Sequence, residues 1–276
     1  MNPYKPKVKV LDPFLGKRTL KILRSNFINT VCEESLCPNR AQCYAAGNAT
    51  FMILGKICTR ACKFCNIKTS KPSLPDENEP QRVAKVVKEL NLRYVVITSV
   101  DRDDLKDYGS LQFQKCVLEI RKTVPSVKIE LLTPDFRENK EALKRIVSLN
   151  VEKLAHNEET VRRLSPLVRP QSDYDRSLRV LEYYAKNFNG RVKSSLMVGL
   201  GESEKEIEET LKDLLNSGVC EVTIGQYLSP SSSHYPVKRY YPKDFFDYIK
   251  KEAVSMGFKS VAAGILVRSS YFAEYL

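Results

Sequence analysis

The stretch ILGKICTRACKFCN, residues 53–66, follows a short β-branched and aromatic run at 50–54 and sets Cys58, Cys62 and Cys65 at CxxxCxxC spacing. A run of that composition reads as a buried strand, so the three thiols stand on the loop directly after the first strand. Such a loop can wrap three thiolates around one corner of a cubane iron–sulfur cluster and leave one iron without a protein ligand. An open iron is what a cluster needs if it must bind a small molecule rather than only carry electrons. Zinc is the alternative. Its sites usually come as CxxC pairs or with histidine, and this chain has only His156 and His234.

Outward from this loop the chain alternates strand and helix. Strands are expected at 50–54, 93–98, 127–132, 152–155, 192–198 and 221–225. Between them lie amphipathic segments at 80–90, 110–123, 138–149, 174–187 and 203–216, the first with Val83, Val86, Val87 and Leu90 on one face. Ser203 with Glu206 makes a capping box, Gly218 follows as a helix stop, and a last helix is expected at 243–256 ahead of Gly257. Strand–helix alternation implies a parallel sheet with right-handed crossovers. Six such units suggest an α/β fold, a partial (β/α)6 TIM-type barrel with its site at the C-terminal strand ends. Strand order is not written in periodicity, so a doubly wound sheet stays open. The expected organisation is an N-terminal extension at 1–48, the partial barrel at 49–225 and a C-terminal extension at 226–276, the extensions capping the open face.

Of eight cysteines, six fall between Cys32 and Cys65, where even scattering would put about one. A cytosolic chain of 276 residues neither keeps nor needs a disulfide framework, so metal ligation or redox chemistry is the stronger reading. The second trio, Cys32, Cys37 and Cys43 in VCEESLCPNRAQCY, is spaced CxxxxCxxxxxC without a fourth cysteine. Electron-transfer clusters normally take four, so this gap too points to chemistry. With 45 basic and 33 acidic residues the net charge is +12, which favours an acidic partner: nucleic acid, an anionic lipid surface or an acidic protein. The basic residues are spread along the chain without a nucleic-acid-binding pattern, so no nucleic acid is expected. No apolar run approaches the ~20 residues of a membrane span, and residues 1–16 have no signal-peptide core. A cytoplasmic protein with no membrane partner is expected.

CxxxCxxC with Phe64 before its last cysteine resembles the signature of the radical S-adenosylmethionine enzymes. In that family the amino and carboxylate groups of S-adenosylmethionine chelate the open iron. One electron then cleaves the sulfonium to a 5′-deoxyadenosyl radical that abstracts hydrogen from a C–H bond. The second trio ahead of it resembles the lipoyl synthase family in particular. So do residues 37–67 as a string, TSVDRDDL (98–105), LTPDF (132–136), the segment around His156 and Asn157, VRPQSDYDRSL (168–178), LMVGLGE (196–202), GQYLSP (225–230) and VRSSY (267–271). The resemblance covers nearly the whole chain.

It implies a transferase with two 4Fe-4S clusters. Cys58, Cys62 and Cys65 hold the first; Cys32, Cys37, Cys43 and Ser270 hold the second, which is the sulfur source, with Ser269 as the alternative serine ligand. An alkoxide is a harder, poorer partner for iron than a thiolate, so the Ser270 corner is the one that can open. Sulfur enters at carbons 6 and 8 of an octanoyl chain on a lysine, with two S-adenosylmethionine molecules consumed. The implied partners are an octanoylated lipoyl-carrier domain (a 2-oxoacid dehydrogenase E2 or the glycine cleavage H protein), an electron donor such as ferredoxin or flavodoxin, and a carrier that rebuilds the second cluster. Arg268 is expected to hold the serine region or a cluster sulfide by hydrogen bonding, with a surface salt bridge as the alternative.

Further cofactor contacts are expected at Phe64, Thr98, Ser99, Asn157, Gly199 and Glu202. Gly199 and Glu202 lie in Ser195-x-Met197-x-Gly199-x-x-Glu202, where relatives carry GxIxGxxE; Ser195 replaces the first glycine, and a strand-end turn is the alternative reading. Thr98 and Ser99 stand where many relatives have GGE. His156 is either a strand-end contact or a satisfied structural residue. Asp101, Arg102, Asp103 and Asp104 read as a solvated loop or as polar site residues. Cys116 and Cys220 read as small buried hydrophobes. Ser231, Ser232 and Ser233 replace the basic or histidine character that the family often shows.

Overall fold

The computed structural model describes residues 16–271 and 273–275. In chain order its strands are β1 Asn29–Thr30, β2 Thr50–Ile53, β3 Ile57–Cys58, β4 Lys68–Thr69, β5 Tyr94–Ser99, β6 Lys128–Leu132, β7 Lys153–Ala155, β8 Arg191–Val198, β9 Glu221–Gln226 and β10 Ser260–Gly264. The six strands expected from the sequence are β2, β5, β6, β7, β8 and β9. The described residues form two compact units, one of residues 16–60 and 66–154, the other of 61–65 and 155–275.

In the unit of 16–60 and 66–154, β2, β5 and β6 run parallel in that order, with Phe51 opposite Ile97 and Ile97 opposite Leu131. β1 runs antiparallel at the outer edge of β2. These strands are apolar almost throughout because both faces are covered, the pattern of a parallel sheet with helical crossovers. Helices Glu79–Glu89 and Ser110–Thr123 supply the cover through Val83, Val86, Val87, Phe113, Val117 and Ile120, all buried. Cys116 is fully buried among them, as expected of a small hydrophobe.

In the unit that holds 155–276, β8, β9 and β10 are parallel, with Leu196 opposite Ile224 and Ala263 opposite Ile224 on the other side. Helices Tyr174–Asn187 and Glu204–Asn216 cover it with Val180, Leu181, Ile207 and Leu211. The capping box between Ser203 and Glu206 forms as its spacing predicts. β10 is an addition to the expected strands. Its Ala262, Ala263 and Gly264 carry little β propensity, and the strand forms because β9 offers a ladder and helix Lys243–Met256 packs on it. Cys220 is half-buried, its thiol donating to the Val192 carbonyl at 3.4 Å.

Candidate functional site

The CxxxCxxC loop leaves β3 and returns as β4, which pairs parallel with it, Cys58 opposite Thr69. Cys58 is buried, and its sulfur accepts the Arg60 backbone N–H at 3.4 Å. Burial, with the charge of Asp101 added, pushes the Cys58 thiol up to about 11; Asp101 Oδ2 lies 3.8 Å from the sulfur. Thr59 ties this end of the loop to the β5 terminus. Its N–H and hydroxyl both donate to the Asp101 carbonyl, at 3.1 and 3.0 Å, and its hydroxyl accepts the Asp103 N–H at 3.0 Å.

Arg60 makes the densest polar contact of the region. Its side chain is 2% exposed and forks twice. Nε and Nη2 donate to the two oxygens of Asp103 at 2.8 Å each; Nη1 and Nη2 donate to those of Asp135 at 3.0 and 2.6 Å. Asp101 Oδ1 lies 3.2 Å from Nη1. Burial alone would raise the Asp103 carboxyl, but hydrogen bonds from Arg60 and Arg137 outweigh it and hold the group below its ordinary value. Residues 101–104 are therefore not a solvated loop: Arg102 is also buried, forked onto Asp104.

The other part of the loop, 61–65, is held within the second unit. The Lys63 N–H donates to the Val168 carbonyl at 2.8 Å, and the Tyr235 N–H donates to the Lys63 carbonyl at 2.8 Å. The Cys65 N–H closes a turn onto the Cys62 carbonyl at 3.0 Å. Cys62, Phe64 and Cys65 are half-buried.

Cys32 sits on the short helix Val31–Glu34, capped by the Thr30 hydroxyl, which also meets the Tyr44 hydroxyl at 2.7 Å. The Cys37 N–H donates to the Cys32 carbonyl at 3.2 Å, and Cys43 lies on the helix Arg40–Ala45. Burial pushes the Cys32 thiol to about 11 and the Cys43 thiol to about 12. The charge of Cys37 adds to the first shift, and those of Cys32 and Cys37 to the second, so the three sulfurs lie within electrostatic reach of one another. Thiols this basic are poor nucleophiles on their own, whereas a cationic metal draws the proton off. All six cysteines are free thiols, a soft donor set suited to iron–sulfur clusters. Among the described residues, no three His, Cys, Asp or Glu side chains already stand at metal-holding separation.

The RSSY segment follows β10. Gly225 of β9 lets it pass: a Cβ there would sit 2.1 Å from the Val267 carbonyl oxygen. Arg268 Nη1 donates to the Val267 and Ile265 carbonyls at 2.6 and 3.4 Å, so it braces its own turn. Ser269 donates to Asn157 Oδ1 at 2.9 Å, and Asn157 Nδ2 donates to Glu159 Oε1 at 2.9 Å. Ser269 is thus an anchor, and Ser270 stands next to it, half-buried.

The remaining expected contacts divide. Thr98 is buried, and the Ser99 hydroxyl is buried without a hydrogen-bond partner among the described residues, as a polar atom awaiting a ligand would be. The space beside Gly199, at φ +104°, is taken by Gln226 Nε2 and the Arg239 carbonyl, and Glu202 accepts the Gly199 and Leu200 N–H groups at 2.5 and 2.9 Å. That geometry builds the strand-end turn. His156 is buried against the Ser177 hydroxyl at 3.0 Å, a satisfied structural pair. Ser231 hydrogen-bonds both the Ser233 hydroxyl and His234 Nδ1 on an exposed loop. Arg60, Asp135, Glu159 and Gly225 are absent from the expected site. Asp135 and Gly225 lie in the LTPDF and GQYLSP strings, the one signal that could have drawn attention to them.

A family model, the Radical SAM superfamily, matches residues 52–214. Among solved structures, Streptococcus suis SuiB bound to S-adenosylmethionine superposes with a TM-score of 0.62 at 12% identity, over 77% of this chain and 49% of that one. Methylornithine synthase (PylB) does so with 0.57 at 13%, over 79% and 72%. The parallel strands with helical crossovers and the cysteine loop after β2 define a member of the radical S-adenosylmethionine superfamily with its partial-barrel α/β fold. Curated relatives narrow this. The lipoyl synthase of Buchnera aphidicola is 52% identical over 94% of this chain and 82% of its own length; those of Caldicellulosiruptor saccharolyticus and Flavobacterium johnsoniae are 48% and 46% identical over 94% and 99% of this chain, and 91% and 96% of theirs. The chain belongs to the lipoyl synthase family.

Proposed function

We propose that this enzyme inserts two sulfur atoms at carbons 6 and 8 of a protein-bound octanoyl-lysine, forming the lipoyl group. The observation that carries the reading is the pair of cysteine trios, each with its own hydrogen-bonded loop, in a chain related to lipoyl synthases over almost all of its length. Cys58, Cys62 and Cys65 would hold one 4Fe-4S cluster, and Cys32, Cys37, Cys43 and Ser270 a second, which serves as sulfur substrate. When bound, the first cluster with S-adenosylmethionine supplies one-electron cleavage of the sulfonium and removal of hydrogen from a C–H bond, once for each sulfur.

The chain's own residues bind and orient. Thr59 and Arg60 hold the Cys58 end of the loop to the strand termini; Val168 and Tyr235 hold 61–65. The Ser99 hydroxyl is placed to hydrogen-bond a ligand at the end of β5. Ser269 on Asn157 fixes the segment from which Ser270 is presented, and Arg268 stiffens the turn before it. The segments 1–48 and 226–276 carry the two halves of the second site and act with 49–225 as one catalytic unit. The substrate is a lipoyl-carrier domain, of an E2 subunit or the H protein, to which the +12 charge gives an electrostatic attraction. A ferredoxin or flavodoxin supplies electrons and a carrier rebuilds the second cluster. No described helix is long and apolar enough to cross a membrane.

The test is anaerobic reconstitution of the full chain, with iron and sulfide assayed, followed by turnover with reductant, S-adenosylmethionine and an octanoyl-lysine peptide. About eight irons per chain and a peptide that gains two sulfurs and loses two hydrogens support the reading. Eight irons and 5′-deoxyadenosine without peptide sulfur would move the substrate elsewhere, and a chain that takes up no iron would contradict the whole assignment.

A further inference from the structure

We infer that Arg60 is a positioning residue, clamping the first part of the CxxxCxxC loop to the ends of β5 and β6 through Asp101, Asp103 and Asp135. The inference rests on the reading of Cys58, Cys62 and Cys65 as cluster ligands. Three independent features carry it. First, the guanidinium makes two planar forks with two carboxylates and an ion pair with a third, a geometry that lysine cannot reproduce. Its partners lie 43 and 75 residues away, so the clamp joins the loop to two different strand ends.

Second, the backbone beyond β6 is strained in a way that serves the clamp. Phe136, Arg137 and Glu138 are three consecutive non-glycine residues at φ +45°, +50° and +58°. L-residues enter this region singly and at a cost, so a run of three persists only where surrounding contacts over-determine it. Here Asp135 accepts the Arg137 N–H at 3.0 Å, and Arg137 reaches back to Asp103 at 2.6 Å. The strained turn thereby adds a second guanidinium to the carboxylate that Arg60 grips. Third, the clamp and the sulfur share a carboxylate. Asp101 pairs with Arg60 through Oδ1, while its Oδ2 faces the Cys58 thiol. The Thr69 hydroxyl donates to the Arg60 carbonyl at 2.9 Å and closes the loop from the β4 side. Arg60 therefore sets where Cys58 stands before any cluster is present.

The experiment uses the full chain, with and without reconstituted clusters, as the unmodified protein and as Arg60→Lys and Asp135→Asn. Amide hydrogen exchange is followed on the segment 57–61, on β5 and β6, and on helix Tyr174–Asn187 as a remote control. Loss of iron to a chelator is timed in a Cys32→Ala/Cys37→Ala/Cys43→Ala background, which isolates the first cluster. The clamp predicts that both variants exchange at least about tenfold faster over 57–61 and lose iron faster by a similar factor, with the control helix unchanged. Unaltered exchange and iron loss in either variant would overturn the inference. So would faster exchange spread equally over the strands and the control helix, because Arg60 would then serve global stability only. If the unmodified background took up no iron, the cluster reading would fall, and the exchange over 57–61 would still decide the clamp.

Discussion

Replacing Gly225 by alanine perturbs the second site without removing any ligand. The new Cβ would lie 2.1 Å from the Val267 carbonyl oxygen, 3.1 Å from its carbon and 3.3 Å from Arg268 Nη1. Comfortable non-bonded separation is about 3.5 Å, which leaves a shortfall of about 1.4 Å against backbone that cannot rotate away. Gly225 is not among the left-handed glycines, so alanine meets no torsional penalty and the effect is steric alone. The segment leading to Ser270 must therefore shift by roughly 1 Å, and a displacement of that size at a reacting group costs about 100-fold in rate. Overpacking of this kind costs about 1–3 kcal/mol in stability, which for this length lowers Tm by several degrees and leaves the chain folded. The assay is sulfur incorporation into an octanoyl-lysine peptide beside 5′-deoxyadenosine release. Sulfur incorporation should fall by about two orders of magnitude while 5′-deoxyadenosine persists. Incorporation within about threefold of the unmodified chain would show that the approach of Val267 to Gly225 does not set the position of Ser270.

Other perturbations reach other parts of the account. Ser270→Ala should abolish sulfur transfer and keep 5′-deoxyadenosine formation, whereas Ser269→Ala loses one hydrogen bond to Asn157, worth about 0.5–1.5 kcal/mol, and should keep part of the transfer; equal effects would contradict the division of roles. Cys116→Val and Cys220→Val should leave iron content at the unmodified level, and a loss of iron in either would make it a ligand. The hydrogen bond from Arg163 holds the Glu206 carboxyl at about 2, below its ordinary 4.5, with the Ser203 N–H and hydroxyl adding to the effect. A depressed carboxyl stabilises the fold above its unfolded value and loses that contribution as pH falls through about 2. The Tm advantage over Glu206→Gln, read by circular dichroism, should be full near neutral pH and vanish towards about pH 2; an advantage unchanged at acid pH would refute the pairing. Ile97→Ala removes a fully buried side chain from β5 and should cost about 2–5 kcal/mol, seen as a lower denaturant midpoint.

What was legible in the sequence follows from how local each signal is. Helices Ser110–Thr123, Tyr174–Asn187 and Lys243–Met256 were readable to the residue because their apolar spacing lies within the segment and their boundary residues lie directly beside it. β10 was not, since an Ala-Ala-Gly strand is specified by its neighbours. Both cysteine trios were visible from spacing alone. The Arg60 clamp was not legible, although Arg60 lies inside the string at 37–67, because its carboxylates come from distant strand ends. Gly199 and Glu202 were singled out by pattern, and their bonds form the strand-end turn that the same pattern allows. Glu159 escaped notice because its role depends on Asn157 and on Ser269, 112 residues further along the chain.

The central claim is that the second trio with Ser270 carries the sulfur that the enzyme inserts. The most direct measurement reconstitutes the full chain with heavy-isotope sulfide, removes free sulfide, and reads the octanoyl-lysine peptide by mass spectrometry after turnover. The account predicts that both inserted sulfurs are heavy, and that a Cys32→Ala/Cys37→Ala/Cys43→Ala chain forms 5′-deoxyadenosine but no sulfur-bearing peptide. Light sulfur in the product, or sulfur insertion by the triple variant, would contradict it.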